Sequence, residues 1–277
     1  KRYFTNIHER INQKTLSQTS GQPVNLQYLR NMKDILKWNN QDISPELFRK
    51  TGPVYIDFLR KMVYPRPHIV DEINERLFTD GKAILQGEAG SGKSVLVREF
   101  AYELLKKEPL TNIYYYSYKH DLPYHHIRDF IAEINKIKKG IVIVEDIHLN
   151  ARDVQHLANS LIGNENKYFL FTGRRCFSEN IVSSLGEQID DLEAVGADDY
   201  DEVLDIIHFY TDSKNINLKL KSASTSFIDS IIDVFEGDFW LLSYVIRGLI
   251  ENEGEGEPIT WIADAVRRDL KDLNNCG

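Results

Sequence analysis

The chain has 277 residues and a mass of 32.1 kDa, enough for one large domain or two smaller ones. Its 42% hydrophobic, 11% aromatic and 27% charged residues exclude a disordered chain, and no apolar run nears the ~20 residues of a membrane-spanning helix. The net charge of −8 argues against nucleic acid as the main partner, although a local basic patch stays possible.

Residues 1–55 are polar and rich in Asn and Gln. Leu26, Leu29, Met32 and Leu36 recur at helical spacing, and Ser44-Pro45 reads as the start of a short helix through Phe48. No chemistry is visible here, so the stretch reads as a helical adaptor. From 56 to 196, short apolar runs alternate with amphipathic ones. Strands are expected at Ala83–Leu85, Asn112–Tyr118, Ile141–Val144, Tyr168–Thr172 and Leu192–Val195. Helices are expected at Lys93–Lys107, along the Ile127-to-Ile137 stripe and at Asn150–Ile162. This alternation predicts an α/β fold: βαβ units forming a parallel five-stranded sheet between helices. Beyond Gly196 the strand signals stop. Helical faces through Tyr200–Ile207, Phe227–Phe235, Phe239–Ile250 and Ile262–Leu273 predict a small helical domain over 197–277.

Gly87-Glu88-Ala89-Gly90-Ser91-Gly92-Lys93-Ser94 fits Gly-x4-Gly-Lys-Ser between a strand and a helix, the context that defines a phosphate-binding loop. Glycines allow positive φ and close approach of the backbone to an anion. Amides of Gly90 to Ser94 then point inward, aided by the helix dipole. Lys93 would reach the outer phosphates and the Ser94 hydroxyl would bind Mg2+. The nucleotide-binding set runs from Gly87 through Val95.

A second element fits this one. The strand Ile141–Val144 runs into Glu145-Asp146, and ligands in such sheets lie at the carboxyl ends of strands. Glu145 is assigned with Ser94 to the Mg2+ shell, and Asp146 to the attacking water. The alternative is that both acids only cap the following helix. His148 reads as a surface residue. Thr172-Gly173-Arg174-Arg175 ends the next strand, and Arg174 is placed as a γ-phosphate sensor because its fork matches phosphate oxygens. The alternative there is a surface arginine pair.

In sequence, these pieces resemble the STAND class of AAA+-like P-loop ATPases, relatives of the NB-ARC and NACHT switch modules. The resemblance covers about residues 56–250. It implies strand order 5-1-4-3-2 and a C-terminal helical lid. Val63-Tyr64-Pro65-Arg66-Pro67 is similar to the family's hhGRE-type element, which implies that Arg66 and Ile69 lie near base and ribose. Val144-Glu145-Asp146 is similar to the aliphatic-Asp-Asp element, and Thr172-Gly173-Arg174 to Thr-Thr-Arg. Gly237-Asp238-Phe239 stands where the family has Gly-x-Pro against adenine; Trp240 is the alternative cover.

The resemblance implies a slow ATPase that switches between ADP and ATP states. It also implies effector and sensor domains in a longer chain and nucleotide-dependent homo-oligomers. With no Asn-Lys-x-Asp motif, ATP is favoured over GTP. Alternatives are a scaffold that holds ADP without hydrolysis, and an AAA+ ATPase acting on DNA. The tyrosine run Tyr114–Tyr118 resembles a stacking surface for single strands, yet an ordinary β-strand explains it equally. His120, His125 and His126 lack metal-ligand partners in the sequence, and Cys176 reads as a small filler. With two cysteines and no signal-peptide pattern at Lys1, a cytoplasmic protein without membrane contact is expected.

Overall fold

The structure, a computed structural model, describes residues 26–36, 52–87, 90–121, 123, 125–160, 166–174, 187–192, 200–212, 231, 239–251, 259–264 and 267. Its centre is a six-stranded sheet. In chain order the strands are β1 (Arg30–Asn31), β2 (Lys82–Gly87), β3 (Ile113–Ser117), β4 (Gly140–Glu145), β5 (Lys167–Gly173) and β6 (Glu187–Leu192). They lie side by side as β1-β3-β4-β5-β2-β6. All neighbours pair in parallel except β1, which runs antiparallel to β3.

The helices are α1 (Met32–Ile35), α2 (Tyr55–Leu59), α3 (Pro67–Asp80), α4 (Lys93–Lys107), α5 (Ile127–Lys136), α6 (Ala151–Ser160), α7 (Tyr200–Asp212) and α8 (Phe239–Glu251). A further helical stretch spans 259–264. α3 starts with Pro67 in its first turn and ends at Gly81, whose φ of 77° is left-handed, the pairing of terminal residues that helices favour. No helix among the described residues is long and apolar enough to cross a membrane.

Strand alternation explains why helices cover both faces. Ala83, Leu85, Ile113, Tyr115, Ile141, Ile143 and Leu170 join Ile73, Leu96 and Phe100 of α3 and α4 in one core. Their neighbours Ile84, Tyr116, Val142, Val144, Phe169 and Phe171 join Phe130, Ile134, Val154 and Leu157 of α5 and α6 in the other. A sheet buried on both faces needs continuous apolar runs, and Ile141–Val144 is the purest of them. A third core lies outside the sheet: Val203, Ile206 and Ile207 of α7 pack on Leu242, Val245, Ile246 and Leu249 of α8 and on Trp261.

Three features correct the sequence expectations. The first is a sixth strand: the stretch 26–36, expected as one helix, divides at Asn31. Leu26 and Leu29 pack on the α5/α6 core, whereas Met32 and Leu36 enter the α3/α4 core, so the apolar spacing serves two sides of the sheet. Asn31 pairs with Tyr114 in β1 and then caps α1 by accepting from Lys33 N at 2.9 Å. The Glu133 carboxylate holds the preceding segment, accepting from the amides of Gln27, Tyr28 and Leu29 at 2.8, 2.8 and 2.6 Å. The second is the last strand, which spans Glu187–Leu192 and not Leu192–Val195. Among the described residues it is an edge strand paired to β2, and its sequence EQIDDL lacks the aliphatic run that marks central strands. The third is the strand expected over Ile141–Val144, which the structure extends at both ends as β4, opening at Gly140 opposite Lys167. The expected helix near Ser44 and most of the Phe227–Phe235 face lie outside the described residues.

Candidate functional site

The sheet brings the glycine loop and the paired acids to one edge, at the carboxyl ends of β2 and β4. Gly90 and Gly92 have φ of 81° and 82°, left-handed angles that side chains with a Cβ rarely adopt. Gly92 is the N-cap of α4, so the amides that open this 15-residue helix face the loop's interior. A Cβ on Gly92 would stand 2.6 Å from an Arg66 guanidinium nitrogen. Lys93 Nζ donates to Gly87 O at 2.9 Å and to Ser91 Oγ at 3.1 Å, which folds its stem across the loop. Ser91 is buried, Ser94 is exposed and Val95 is half-buried. Glu88 and Ala89 lie outside the described residues.

Arg66 is 5% exposed and supports the loop from beneath. Its guanidinium donates to Ser91 O and Gly92 O, both at 3.3 Å. Its own amide donates to Glu99 Oε1 at 3.2 Å. Ile69 is a core residue of the α3/α4 side. The structure thus places Arg66 against the loop's carbonyls and Ile69 in the packed interior.

Glu145 ends β4 and is 2% exposed. Register sets its neighbours: β3 lies alongside β4, with Tyr115 opposite Ile143 and Ser117 opposite Glu145. The Tyr115 hydroxyl donates to Glu145 Oε2. Oε1 is buried with no hydrogen-bond partner. Burial raises the carboxyl's pKa, a push that Asp146 reinforces; Tyr115, Arg98 and the nearby Ser94 hydroxyl oppose it. A buried carboxyl with one orphaned oxygen and a serine hydroxyl nearby is a place where a divalent cation would replace lost solvation. Ser94 and Glu145 therefore fit Mg2+, the metal that the resemblance implies.

Asp146 has φ 58° and ψ 33°, a left-handed conformation that Asp tolerates better than most residues. Ser117 Oγ fixes its carboxylate by donating to Oδ2 at 2.7 Å. The same serine oxygen accepts from the amides of Lys119 and His120. The chain then makes a 3-10 turn, Ile147–Leu149.

His148 is the residue that sequence reasoning missed. It is half-buried, and its Nδ1 is buried without a hydrogen-bond partner. Burial lowers its pKa; Asp146 opposes this, while Arg174, Lys93 and Lys119 add to it. Three of the expected site groups, Asp146, Arg174 and Lys93, are thus among the charges that act on the imidazole. Nothing in its local sequence marks it; the left-handed turn at Asp146 redirects the chain and places it there. Arg174, just past β5, is exposed, and its charge acts on His148. Arg175, Cys176, Gly237 and Asp238 lie outside the described residues, as do the side chains of Phe239 and Trp240.

No family model and no curated protein matches the sequence. Among solved structures, the chain is similar to PCH-2 of C. elegans, with 12% identity, a TM-score of 0.44, and coverage of 68% of this chain and 60% of that one. It is similar to the Walker-type ATPase paby2304 of Pyrococcus abyssi, with 13% identity, a TM-score of 0.45, and coverage of 79% and 77%. It is also similar to AMPPCP-bound DnaA from Aquifex aeolicus, with 15% identity, a TM-score of 0.48, and coverage of 76% and 69%. The chain spans less than two thirds of the C. elegans protein. The functional reading rests on the loop, the acids and their register.

Proposed function

We propose that the chain is an ATP/ADP-binding, Mg2+-dependent ATPase module of STAND type, working as a slow nucleotide-controlled switch. The observation that carries the reading is the alignment of a left-handed glycine loop with a buried acid that has one unpartnered oxygen and the Ser94 hydroxyl nearby. The loop amides and Lys93 bind the phosphates by displacing the lysine's bonds to Gly87 O and Ser91 Oγ, which turns an internal cation toward the ligand. Arg66 holds the loop's carbonyls so that its amides stay turned inward. When bound by Ser94 and Glu145, Mg2+ supplies charge neutralisation for the phosphate oxygens. Asp146, held by Ser117, orients a water and accepts its proton. The Arg174 cation, next to His148, marks where the outermost phosphate is sensed.

The switch part of the reading is supported by a contact between the two halves. Tyr64, two residues before Arg66, donates its amide to the Tyr210 hydroxyl of α7 at 3.1 Å, and its ring meets Phe209 edge-on at 5.6 Å. Arg66 and Glu99 both act electrostatically on the Tyr210 hydroxyl. The helical cluster, acting as a lid, thereby meets Tyr64, two residues before the arginine that supports the phosphate loop. Effector and sensor partners and nucleotide-dependent oligomers are proposed on the resemblance alone.

One observation favours a second reading, an ADP-holding scaffold without hydrolysis. Glu145 is buried, bonded by Tyr115 and raised in pKa, and a carboxyl that resists ionising is a poorer metal ligand. Single-turnover ATP hydrolysis by wild type and Asp146→Asn separates the two. The ATPase reading expects turnover to fall by about 10²-fold or more, in the range of general-base losses, while ADP affinity is kept. Equal rates in the two proteins refute it.

A further inference from the structure

A groove of about 660 Å3 lies apart from the phosphate loop, between the first turns of α5 and α6. That volume is within the roughly 300–1,000 Å3 of small-ligand sites. Its lining has an unusual chemistry. Tyr118, His125, His126, Arg128, Arg152 and His156 all face it, and every one ends in a flat conjugated group. All are exposed except Tyr118, which is half-buried and meets Tyr116 edge-on at 5.2 Å. Among the described residues neither arginine enters an ion pair, and none of the three imidazoles has a hydrogen-bond partner.

The charge balance decides between ligands. Arg128 and Arg152 are opposed by Asp129 and Asp153 in the same lining, and the chain as a whole carries −8. Charge alone would hold no polyanion here, so selectivity has to come from the planar groups. Flat rings and guanidinium planes are what nucleobases stack on, and arginine forks match phosphate oxygens. We propose that this groove binds a base-plus-phosphate unit, either a free nucleotide or one residue of a single strand. It is a second site, separate from Lys93.

The groove also shares a wall with the phosphate site. In the turn Ile147–Leu149, His148 stands among the charges of Lys93, Asp146 and Arg174, whereas Leu149, 54% exposed, lines the groove. The turn Ile147–Leu149 thus lies between the two sites.

The test is fluorescence anisotropy of a labelled oligo(dT) with the full chain carrying Lys93→Ala, which removes the phosphate loop's contribution. Binding is expected to persist in that background. Its log K against log salt slope should be about −0.7, for the one phosphate of the unit; in Arg128→Ala/Arg152→Ala binding should weaken at least tenfold and the slope should flatten. Arg128→Lys/Arg152→Lys keeps the charge and removes the planes; its affinity should fall nearly as far as that of the alanine pair. Displacement by dTMP at matching concentration identifies the free nucleotide as the ligand; displacement only by strand identifies single-stranded nucleic acid. No binding to the Lys93→Ala chain, equal binding by the alanine pair when folded by circular dichroism, or stronger displacement by polyglutamate overturns the proposal. Loss confined to Lys93→Ala assigns all binding to the phosphate loop and also overturns it.

Discussion

Glu145 has one oxygen bonded by Tyr115 and one left bare, and that asymmetry yields a prediction at the residue scale. Tyr115→Phe removes the hydroxyl that donates to Oε2 and leaves a second buried oxygen unsatisfied, a loss of about 1–3 kcal/mol. Calorimetric titration with ADP should show the Mg2+-dependent part of the affinity reduced, with Mg2+-free binding unchanged. An unaltered Mg2+ increment would detach Tyr115 from the metal site. A second acid gives a pH prediction. Burial raises the pKa of Glu99, against the opposing hydrogen bond and charge of Arg66. A raised carboxyl contributes its stability in the protonated form, fully below the ordinary carboxylate range, and loses it as pH rises through the folded-state value. At pH 7 the ionised side chain is therefore a burden. Glu99→Gln, which keeps an acceptor for the Arg66 amide, should melt higher than wild type at pH 7, and the gap should close by pH 4. A gap that widens on acidification would contradict the burial account.

Residue-scale legibility was uneven for a physical reason. The glycine loop and the acidic pair were readable because their chemistry is contiguous in the chain. Tyr115 and Ser117 as partners of Glu145 and Asp146 were not, because that pairing depends on the register of β3 against β4. Tyr114–Tyr118 showed only a tyrosine-rich strand, with no sign of which ring would reach a carboxylate. His148 was misread for a similar reason: its environment is made by a left-handed residue two positions earlier.

At the scale of elements, the strand–loop–helix unit depends on backbone angles more than on any one side chain. Gly92→Ala places a Cβ in the left-handed region and 2.6 Å from Arg66. The loop must then give up either its conformation or its support. The variant should lose nucleotide affinity at least as severely as Lys93→Ala, and its melting temperature should fall by several degrees, corresponding to about 1–2 kcal/mol. Normal ADP binding by Gly92→Ala would show that the loop does not need this angle. Central elements were legible because burial on both faces demands unbroken aliphatic runs such as Ile141–Val144. β6 and β1 were displaced or missed because edge strands have one neighbour and carry little apolar signal. Leu26, Leu29, Met32 and Leu36 show the other failure: helical spacing also arises when a strand and a short helix feed opposite cores.

For the molecule as a whole, the question is how the helical cluster responds to the phosphate loop. The Tyr210 hydroxyl accepts from the Tyr64 amide and sits within the field of Arg66 and Glu99. Tyr210→Phe keeps the ring packing and removes that acceptor. If the helical cluster is a lid, the variant should bind ADP more weakly by about tenfold, through faster release, while the sheet domain melts as before. Unchanged release would leave the helices as a passive neighbour.

The central claim is that the amides around Gly90–Ser94 and the Lys93 cation form a seat for nucleotide phosphates. Isothermal titration of wild type and Lys93→Ala with ADP in the presence of Mg2+ tests it most directly. The account predicts saturable binding by wild type and a loss of about 100-fold or more, near 2.7 kcal/mol, in a variant that remains folded. Absence of heat with wild type, or equal affinity in the two proteins, would contradict it.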